Sequence, residues 1–119
     1  MKRQGRNYLG VGLVAALWLP MQLFAHALKT ESEPADGAVV QGSPPVIAMS
    51  FDSPMRITSL VLRDADGEPI ELARDDAMRP VTRVEARPPA LAAGQYVVEW
   101  RGLAPDGHAM RDTFTFTVE

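Results

Sequence analysis

The chain of 119 residues contains no cysteine, and only 7% of its residues are aromatic. The absence of cysteine excludes disulfide bonds and thiolate metal ligands, so the core must stabilise the fold unaided or with a bound ligand. Histidine is also scarce, because the chain has only His26 and His108. Any site that requires imidazole must therefore use these two residues.

A basic stripe of the kind that contacts nucleic-acid phosphates is missing as well. Residues 1–25 hold three of the twelve Lys and Arg residues and none of the fifteen Asp and Glu residues. Without this segment, nine cations stand against fifteen anions, which gives a net charge of −6. An acidic chain without clustered cations lacks the electrostatic footprint that phosphate backbones require. We therefore expect no nucleic-acid partner.

Long apolar runs are absent except near the N-terminus, where the layout is that of a secretory signal peptide. "MKRQGRN" is basic, "YLGVGLVAALWLP" is apolar and "MQLFA" ends on a small residue. The apolar run is short for a membrane span, and Gly10, Gly12 and Pro20 interrupt it. We expect residues 1–25 to be a cleaved signal peptide and residues 26–119 to form one exported domain that does not span the membrane.

Two cleavage points are compatible with this segment. A cut after Ala27 matches the A-x-A pattern with Ala25 and Ala27, and it would discard His26. A cut after Ala25 places the large Leu23 where a small residue is preferred, and it would leave His26 as the first residue of the mature chain. The local signal alone mildly favours the cut after Ala27.

Beyond the signal segment, short alternating runs separated by Gly, Pro, Asp and Ser predict strands joined by turns. The predicted fold is all-β, a small Greek-key β-sandwich or barrel of about seven strands with an Ig-like or cupredoxin-like arrangement. The predicted strands are residues 26–32, 45–52, 56–64, 68–72, 81–87, 94–102 and 111–119. The segments "PADGAVVQGSPP", residues 34–45, and "DDAMRP", residues 75–80, are interpreted as loops.

Two of the predicted strands alternate fully and present large apolar side chains to one face, as sheets packed on a shared core require. These side chains are Tyr96, Val98 and Trp100 in one strand and Phe114, Phe116 and Val118 in the other. Leu91, Gly94 and Tyr96 are also spaced as in the tyrosine corner of Greek-key sandwiches. We interpret Tyr96 and Trp100 as core residues rather than as a platform on which bases or sugars stack.

The second histidine follows the turn signal Pro105-Asp106-Gly107, which predicts a tight turn between the last two strands. Asp106 and His108 are two residues apart, so an extended backbone would place both side chains on the same side. Two interpretations are open. Asp106 caps its own backbone beside an exposed histidine, or Asp106 and His108 join His26 in a metal site.

An N-terminal histidine has particular metal chemistry, because its free α-amine and its ring nitrogen can chelate the same ion. The amine has an ordinary pKa of about 8, so it loses its proton to a Lewis acid more readily than a lysine amine does. With His26 first in the chain, the imidazole of His108 and an oxygen of Asp106 would complete a set of three nitrogens and one oxygen. This set suits tetragonal Cu(II), although zinc fits the same ligands.

The segments "AHALKTESEPADGAVV", "SFDSPMRI", "LAAGQYVVEWRGLAPDGHAM" and "FTFTV" occur in this order from Ala25 onwards and span essentially all of residues 26–119. Together they resemble the bacterial periplasmic copper-resistance protein C family, which includes CopC, PcoC and the YobA-type proteins. The resemblance implies a Greek-key domain that binds one Cu(II) per chain through the amine and ring of His26 together with Asp106 and His108. It also favours the cut after Ala25, since members of the family keep the histidine at the front.

The same resemblance implies a function and partners. We expect a periplasmic copper carrier or buffer in copper resistance or uptake, which is not an enzyme. Its expected partners are the copper ion and an inner-membrane copper transporter of the CopD type.

The sequence departs from the family pattern in two places. Members commonly carry F-S-E near the second strand with the glutamate close to copper, whereas "FDSP" here puts Ser53 at that position and Asp52 before it. Asp52 would point to the opposite face of an extended strand. Some members also have a methionine-rich loop that binds Cu(I), and the corresponding residues 64–80 contain Met78 alone. We therefore expect one Cu(II) site and no separate Cu(I) site.

Two other functions are compatible with the histidine at the N-terminus or with the sandwich fold. Lytic polysaccharide monooxygenases, which are copper-dependent oxidases, also have an N-terminal histidine chelate, but they need a larger scaffold and a broad flat surface with aromatics. Few aromatic residues remain here outside the predicted core. A metal-free sandwich module that binds a partner is the other alternative, and it applies if cleavage removes His26.

Overall fold

The computed structural model describes residues 29–119, which form eight β-strands and no helix. The predicted all-β fold is confirmed. The strands are β1 (Lys29–Glu33), β2 (Ala38–Val40), β3 (Ile47–Arg63), β4 (Pro69–Ile70), β5 (Ala73–Arg74), β6 (Pro80–Arg87), β7 (Gly94–Leu103) and β8 (Ala109–Val118). Their order in the curled sheet is β2-β8-β7-β3-β6-β5, with β1 and β4 also paired to β3. In this part of the chain, no helix is long and apolar enough to cross a bilayer.

Strand β3 is the longest strand and connects the two halves of the sheet. Its first part pairs with β1 and β6, and its second part pairs with β4 and β7. In the pairing with β6, Ser50 lies opposite Arg83 and Met55 lies opposite Val81. The segment between these two pairs is longer in β3 than in β6. Extra residues on one strand bend it and increase its twist. This irregularity allows one continuous strand to take part in both halves.

The number of strands differs from the predicted seven for three local reasons. Residues 45–52 and 56–64 belong to one strand rather than two, because the irregular segment accommodates Pro54, which has no N–H for a regular ladder. Of the predicted strand 68–72, only residues 69–70 form a strand, β4, and a second short strand, β5, follows at residues 73–74. The segment 34–45 contains β2, which pairs in parallel with β8. A three-residue strand between turn residues has no periodic signal in the sequence.

The core is formed by the inward faces of the long strands, and the predicted inward faces of β7 and β8 are confirmed. Two aromatic pairs lie within it. Phe51 and Trp100 meet edge to face with ring centroids 5.3 Å apart, and Tyr96 stacks on Phe116 at 5.5 Å. Both separations lie in the range that favours aromatic contacts beyond simple burial. All aromatic side chains of the described region are buried, namely Phe51, Tyr96, Trp100, Phe114 and Phe116.

The tyrosine corner lies at the start of β7. The Tyr96 hydroxyl donates a hydrogen bond to the carbonyl of Ala92 at 2.6 Å, which confirms the prediction. Nearby, the backbone N–H of Leu91 donates to Ser43 Oγ at 2.8 Å. These two bonds fix the connection that enters β7 to the body of the sandwich.

A buried ion pair holds the connection between β5 and β6. Arg74 donates from Nε and Nη2 to the two carboxylate oxygens of Asp76, each at 2.7 Å, and Nη2 also donates to the carbonyl of Ile57 at 2.7 Å. Asp76 is only 7% exposed. The hydrogen bonds from Arg74 lower the pKa of the Asp76 carboxyl. We refer to Arg74, Asp76 and the Ile57 carbonyl as the β5–β6 clamp.

Candidate metal centre

The turn between β7 and β8 consists of residues 104–108 and has the predicted tight geometry. The N–H of Gly107 donates to the carbonyl of Ala104 at 2.8 Å, and the N–H of Ala104 donates to the carbonyl of His108 at 2.9 Å. Pro105 suits the second position of such a turn, since its ring fixes φ. Gly107 has φ of 89°, a left-handed conformation that glycine adopts without a steric penalty.

Asp106 contacts His108 through both of its carboxylate oxygens. Oδ1 accepts the backbone N–H of His108 at 3.0 Å, and Oδ2 lies 2.8 Å from Nδ1 of the His108 ring. The two side chains therefore share one side of the turn, as predicted. A histidine held through Nδ1 by a carboxylate presents Nε2 to a metal, and this second contact fixes the orientation of the ring. Asp106 thus both caps the turn and positions the imidazole.

The exposure of this pair distinguishes it from a core histidine. The His108 side chain is 64% exposed and the Asp106 side chain is 35% exposed. At this exposure, the imidazole contributes little buried area to the stability of the domain. The turn therefore presents His108 to solvent or to a ligand.

His26 lies outside the described residues, which begin at Lys29. Strand β1 runs antiparallel to β3 with Lys29 opposite Phe51. The N-terminal end of β1 is therefore directed along β3 towards Pro54, which lines one shallow cavity together with Gly107 of the turn. The start of β1 consequently points to the end of the sandwich that carries Asp106 and His108. Lys29 is held there by its ammonium group, which lies 4.6 Å from the centroid of the Phe114 ring.

Asp106 and His108 are the members of the predicted ligand set that the structure brings together. Among residues 29–119, no group of three or more His, Cys, Asp or Glu side chains is arranged to hold a metal ion. His26 is the remaining member of the predicted set, and its part in the site stays a prediction.

The residues at the family glutamate position lie where β3 is irregular. Phe51 is buried whereas Asp52 is exposed, so these two side chains lie on opposite faces. Ser53 is half-buried.

The methionines of the described region are distributed between the core and the surface. Met49 and Met55 are buried in the core, Met110 packs against it, and Met78 is half-exposed in the connection between β5 and β6. Buried methionines of this kind act as flexible apolar filling.

Sequence analysis did not single out Arg101 and Arg111, which lie on the same hairpin as the turn. The structure places them directly opposite each other on β7 and β8. Arg101 and Arg111 are the same number of positions from Asp106 in the sequence. Residues at equal distances from a tight turn face each other across a hairpin, so this spacing would have identified the pair.

The fold and the turn together define a class of protein, an all-β sandwich with a carboxylate-held histidine exposed at the tip of its last hairpin. The chain belongs to the CopC domain family, which matches residues 29–119. The resemblance seen in the sequence is thereby confirmed. No curated protein matches the chain.

Two solved structures show the same fold. The chain is similar to CopC from Methylosinus trichosporium OB3b, with 26% identity and a TM-score of 0.69 over 79% of this chain and 94% of that one. It is also similar to PcoC from Escherichia coli, which is described as a methionine-rich copper resistance protein. Here the identity is 25% and the TM-score is 0.65, over 80% of this chain and 100% of that one.

Proposed function

We propose that this protein is a periplasmic copper carrier or buffer, not an enzyme, that binds one Cu(II) per chain and acts in copper resistance or uptake. The observation that carries the proposal is the imidazole of His108, held by Asp106 at 2.8 Å on an exposed turn of a CopC-family domain. The similarity to a copper resistance protein supports the choice of copper.

In this proposal, residues 1–25 are removed as a signal peptide and His26 becomes the first residue. Its α-amine and ring would supply two nitrogens, and His108 would supply the third. Three residues of extended chain span about 10 Å, and the start of β1 at Lys29 is directed along β3 towards Pro54, which lines a cavity together with Gly107 of the turn. Three nitrogens and one oxygen form a set that suits Cu(II).

In the proposed site, Asp106 keeps the bond from Oδ1 to the backbone N–H of His108 and supplies the oxygen ligand through Oδ2. The two oxygens of a carboxylate together have about four lone-pair sites. Oδ1 can therefore continue to hold the turn while Oδ2 exchanges its contact with the ring for a bond to the ion. Loss of its carboxylate would affect both the position of His108 and the number of ligands.

The position of the site favours a carrier over an oxidase. Asp106 and His108 lie on an exposed turn, where a receiving protein could reach the proposed ion. Among residues 29–119, every aromatic side chain is buried, so this region has no flat aromatic surface of the kind that a polysaccharide oxidase needs. We propose an inner-membrane copper transporter of the CopD type as the receiving protein.

The test begins with protein expressed with its own N-terminal segment and recovered from the periplasm. We expect N-terminal sequencing to start at His26, and the intact mass to increase by one copper ion when Cu(II) is added. The electron paramagnetic resonance spectrum of the complex should show nitrogen hyperfine coupling. An N-terminus at Leu28, or protein that stays in the cytoplasm, would contradict the proposal.

A variant with one alanine inserted between Ala25 and His26 provides a matched control. After the cut at the same position, this variant keeps both imidazoles but separates the α-amine from the ring of His26. We expect weaker Cu(II) binding and an altered nitrogen pattern in its spectrum. Equal binding by both proteins would show that the N-terminal amine is not a ligand.

A second assay separates the carrier from the oxidase. The copper-loaded protein is incubated with a reductant and a polysaccharide, and the soluble products are analysed by mass spectrometry. We expect no oxidised oligosaccharides. Their appearance would assign the protein to the oxidase class instead.

A further inference from the structure

A shallow groove of about 560 Å³ lies on the outer face of β3, β7 and β8. We call it the arginine groove and define it by Arg63, Glu99, Arg101, Arg111 and Asp112, all of which line it. Its arginines are distinctive because the chain as a whole carries more negative than positive charge. The groove is thus a locally positive surface on a molecule whose net charge is negative.

Two of these arginines face each other across the hairpin. Arg101 on β7 is directly opposite Arg111 on β8, and both side chains are exposed. Directly opposed like charges destabilise an antiparallel pair. Because this pair lowers the stability of the hairpin, folding does not explain its presence, and we expect it to serve a function.

The carboxylates of the groove do not neutralise this pair. Glu99 accepts a hydrogen bond from Arg63 Nε at 3.0 Å, and Asp112 Oδ1 accepts the backbone N–H of Thr113 at 2.8 Å. Within residues 29–119, neither Arg101 nor Arg111 forms an ion pair, whereas four other arginines do: Arg63, Arg74, Arg83 and Arg87. In an acidic domain, two adjacent guanidiniums without a carboxylate partner are available to an external anion.

We propose that the arginine groove is a docking surface for an acidic segment of a partner protein, whose carboxylates bind the guanidinium groups of Arg101 and Arg111. Guanidinium and carboxylate form bidentate, charge-assisted hydrogen bonds. Alternate side chains of an extended peptide lie on one side about 7 Å apart. Two carboxylates at this spacing match two long arginine side chains on neighbouring strands.

The charge of the chain favours a peptide over an anionic bilayer as the occupant. Stable attraction to anionic lipid requires a cluster of about four to eight basic residues. The groove offers two unpaired arginines on a domain with an excess of acidic residues, which a negatively charged surface repels as a whole. A single acidic segment contacts the two arginines without approaching the rest of the surface.

The location of the groove suggests what docking would achieve. Arg101 and Arg111 lie two register positions from Leu103 and Ala109, the pair that ends the hairpin at the turn. A segment bound to the arginine groove would therefore hold its own protein close to Asp106 and His108. The interaction itself requires no metal, so its test is independent of the test of the copper site.

The test uses the metal-free full chain and a fluorescently labelled octapeptide of aspartate, with binding followed by fluorescence anisotropy. We expect binding at low ionic strength that weakens as salt is added, because exposed charges are screened. Arg101→Gln and Arg111→Gln should each weaken binding about tenfold, since each removes one charge-assisted contact. Arg87→Gln on β6 removes the same charge outside the arginine groove and should leave binding unchanged.

Arg101→Glu adds a readout that a purely structural role would not produce. It replaces the like-charged pair by an opposite-charged pair, so it should raise the thermal midpoint of the chain while abolishing peptide binding. A lower midpoint together with retained binding would overturn the proposal.

Three further results would also overturn the proposal. The first is equal loss of binding in Arg87→Gln, which would indicate a general charge effect. The second is equal binding of an asparagine octapeptide. The third is binding to phosphatidylglycerol-containing vesicles without binding to the acidic peptide, which would identify a membrane as the occupant.

Discussion

The two ends of strand β7 have opposite properties. At its start, Tyr96 is buried, stacks on Phe116 and donates a hydrogen bond to the Ala92 carbonyl. Beyond its other end, His108 is 64% exposed, and Asp106 contacts both its backbone N–H and its ring. Substitutions are therefore expected to affect the fold at the first end and the chemistry at the second. We refer to these as the tyrosine end and the turn end.

The largest effect is expected at the tyrosine end from Phe116→Ala. Phe116 is 1% exposed, so its truncation removes buried area and leaves a cavity that should cost about 3–5 kcal/mol of unfolding free energy. Urea denaturation of the metal-free protein measures this loss. Thr115→Ala, which truncates the exposed neighbour of Phe116, should change the free energy by less than about 0.5 kcal/mol. Similar losses in both variants would remove the basis for the comparison.

His108→Ala should produce the complementary result at the turn end. We expect Cu(II) affinity to fall about a hundredfold or more, because even residues that only support a metal ligand contribute about ten- to a hundredfold. The unfolding free energy of the metal-free protein should change by less than about 0.5 kcal/mol, since the side chain is exposed. Competitive copper titration and urea denaturation test the two parts. Unchanged affinity with a lower denaturation midpoint would make His108 a structural residue.

Asp106→Asn should weaken Cu(II) binding less than His108→Ala does. The amide oxygen can still accept the backbone N–H of His108, so the turn should persist, but the charge that holds Nδ1 is lost. We expect affinity to fall about tenfold. The same competitive titration measures this change. A loss larger than that of His108→Ala would indicate that the carboxylate, rather than the imidazole, dominates the site.

Tyr96→Phe tests the tyrosine end with a smaller change. It removes the hydroxyl but keeps the stacked ring, so only the 2.6 Å bond to Ala92 is lost. A loss of about 1 kcal/mol in unfolding free energy is expected. Cu(II) affinity should be the same as in the unchanged protein. A weaker copper complex would show that the two ends are coupled.

Met78→Leu should have the smallest effect of these substitutions. It tests whether the protein has a Cu(I) site in addition to the proposed Cu(II) site. Met78 is exposed and stands alone in its connection, so we expect no separate Cu(I) site that depends on it. The measurement is a Cu(I) titration under reducing conditions, before and after the substitution. A second tightly bound equivalent that disappears in Met78→Leu would contradict the prediction of a single site.

The sequence predicted the features that rest on local chemistry. The alternation in β7 and β8, the turn at Pro105 to Gly107 and the bond from Tyr96 all depend on residues close together in the chain, and the structure confirms them. In the candidate site, the pairing of Asp106 with His108 could be predicted for the same reason.

The features that sequence analysis missed depend on distant partners. Strand β2 has three residues and exists because β8 lies beside it. The continuation of β3 past Pro54 is decided by strands on both of its sides, which no pattern within residues 45–64 records. The association of His26 with the turn is likewise a long-range relation, and the sequence supports it only through the metal chemistry and the family resemblance.

The β5–β6 clamp has a consequence for how the protein would respond to acid. Because hydrogen bonds from Arg74 depress the pKa of Asp76 below its ordinary 3.8, the clamp contributes its full stability above that pH and loses it only as the pH falls through the depressed value. Protons compete for imidazole and amine ligands in much milder acid. Between these two ranges lies a window of pH in which the proposed cargo is discharged while the clamp remains intact. Emptying and refilling the protein in that window would then leave the connection between β5 and β6 in place.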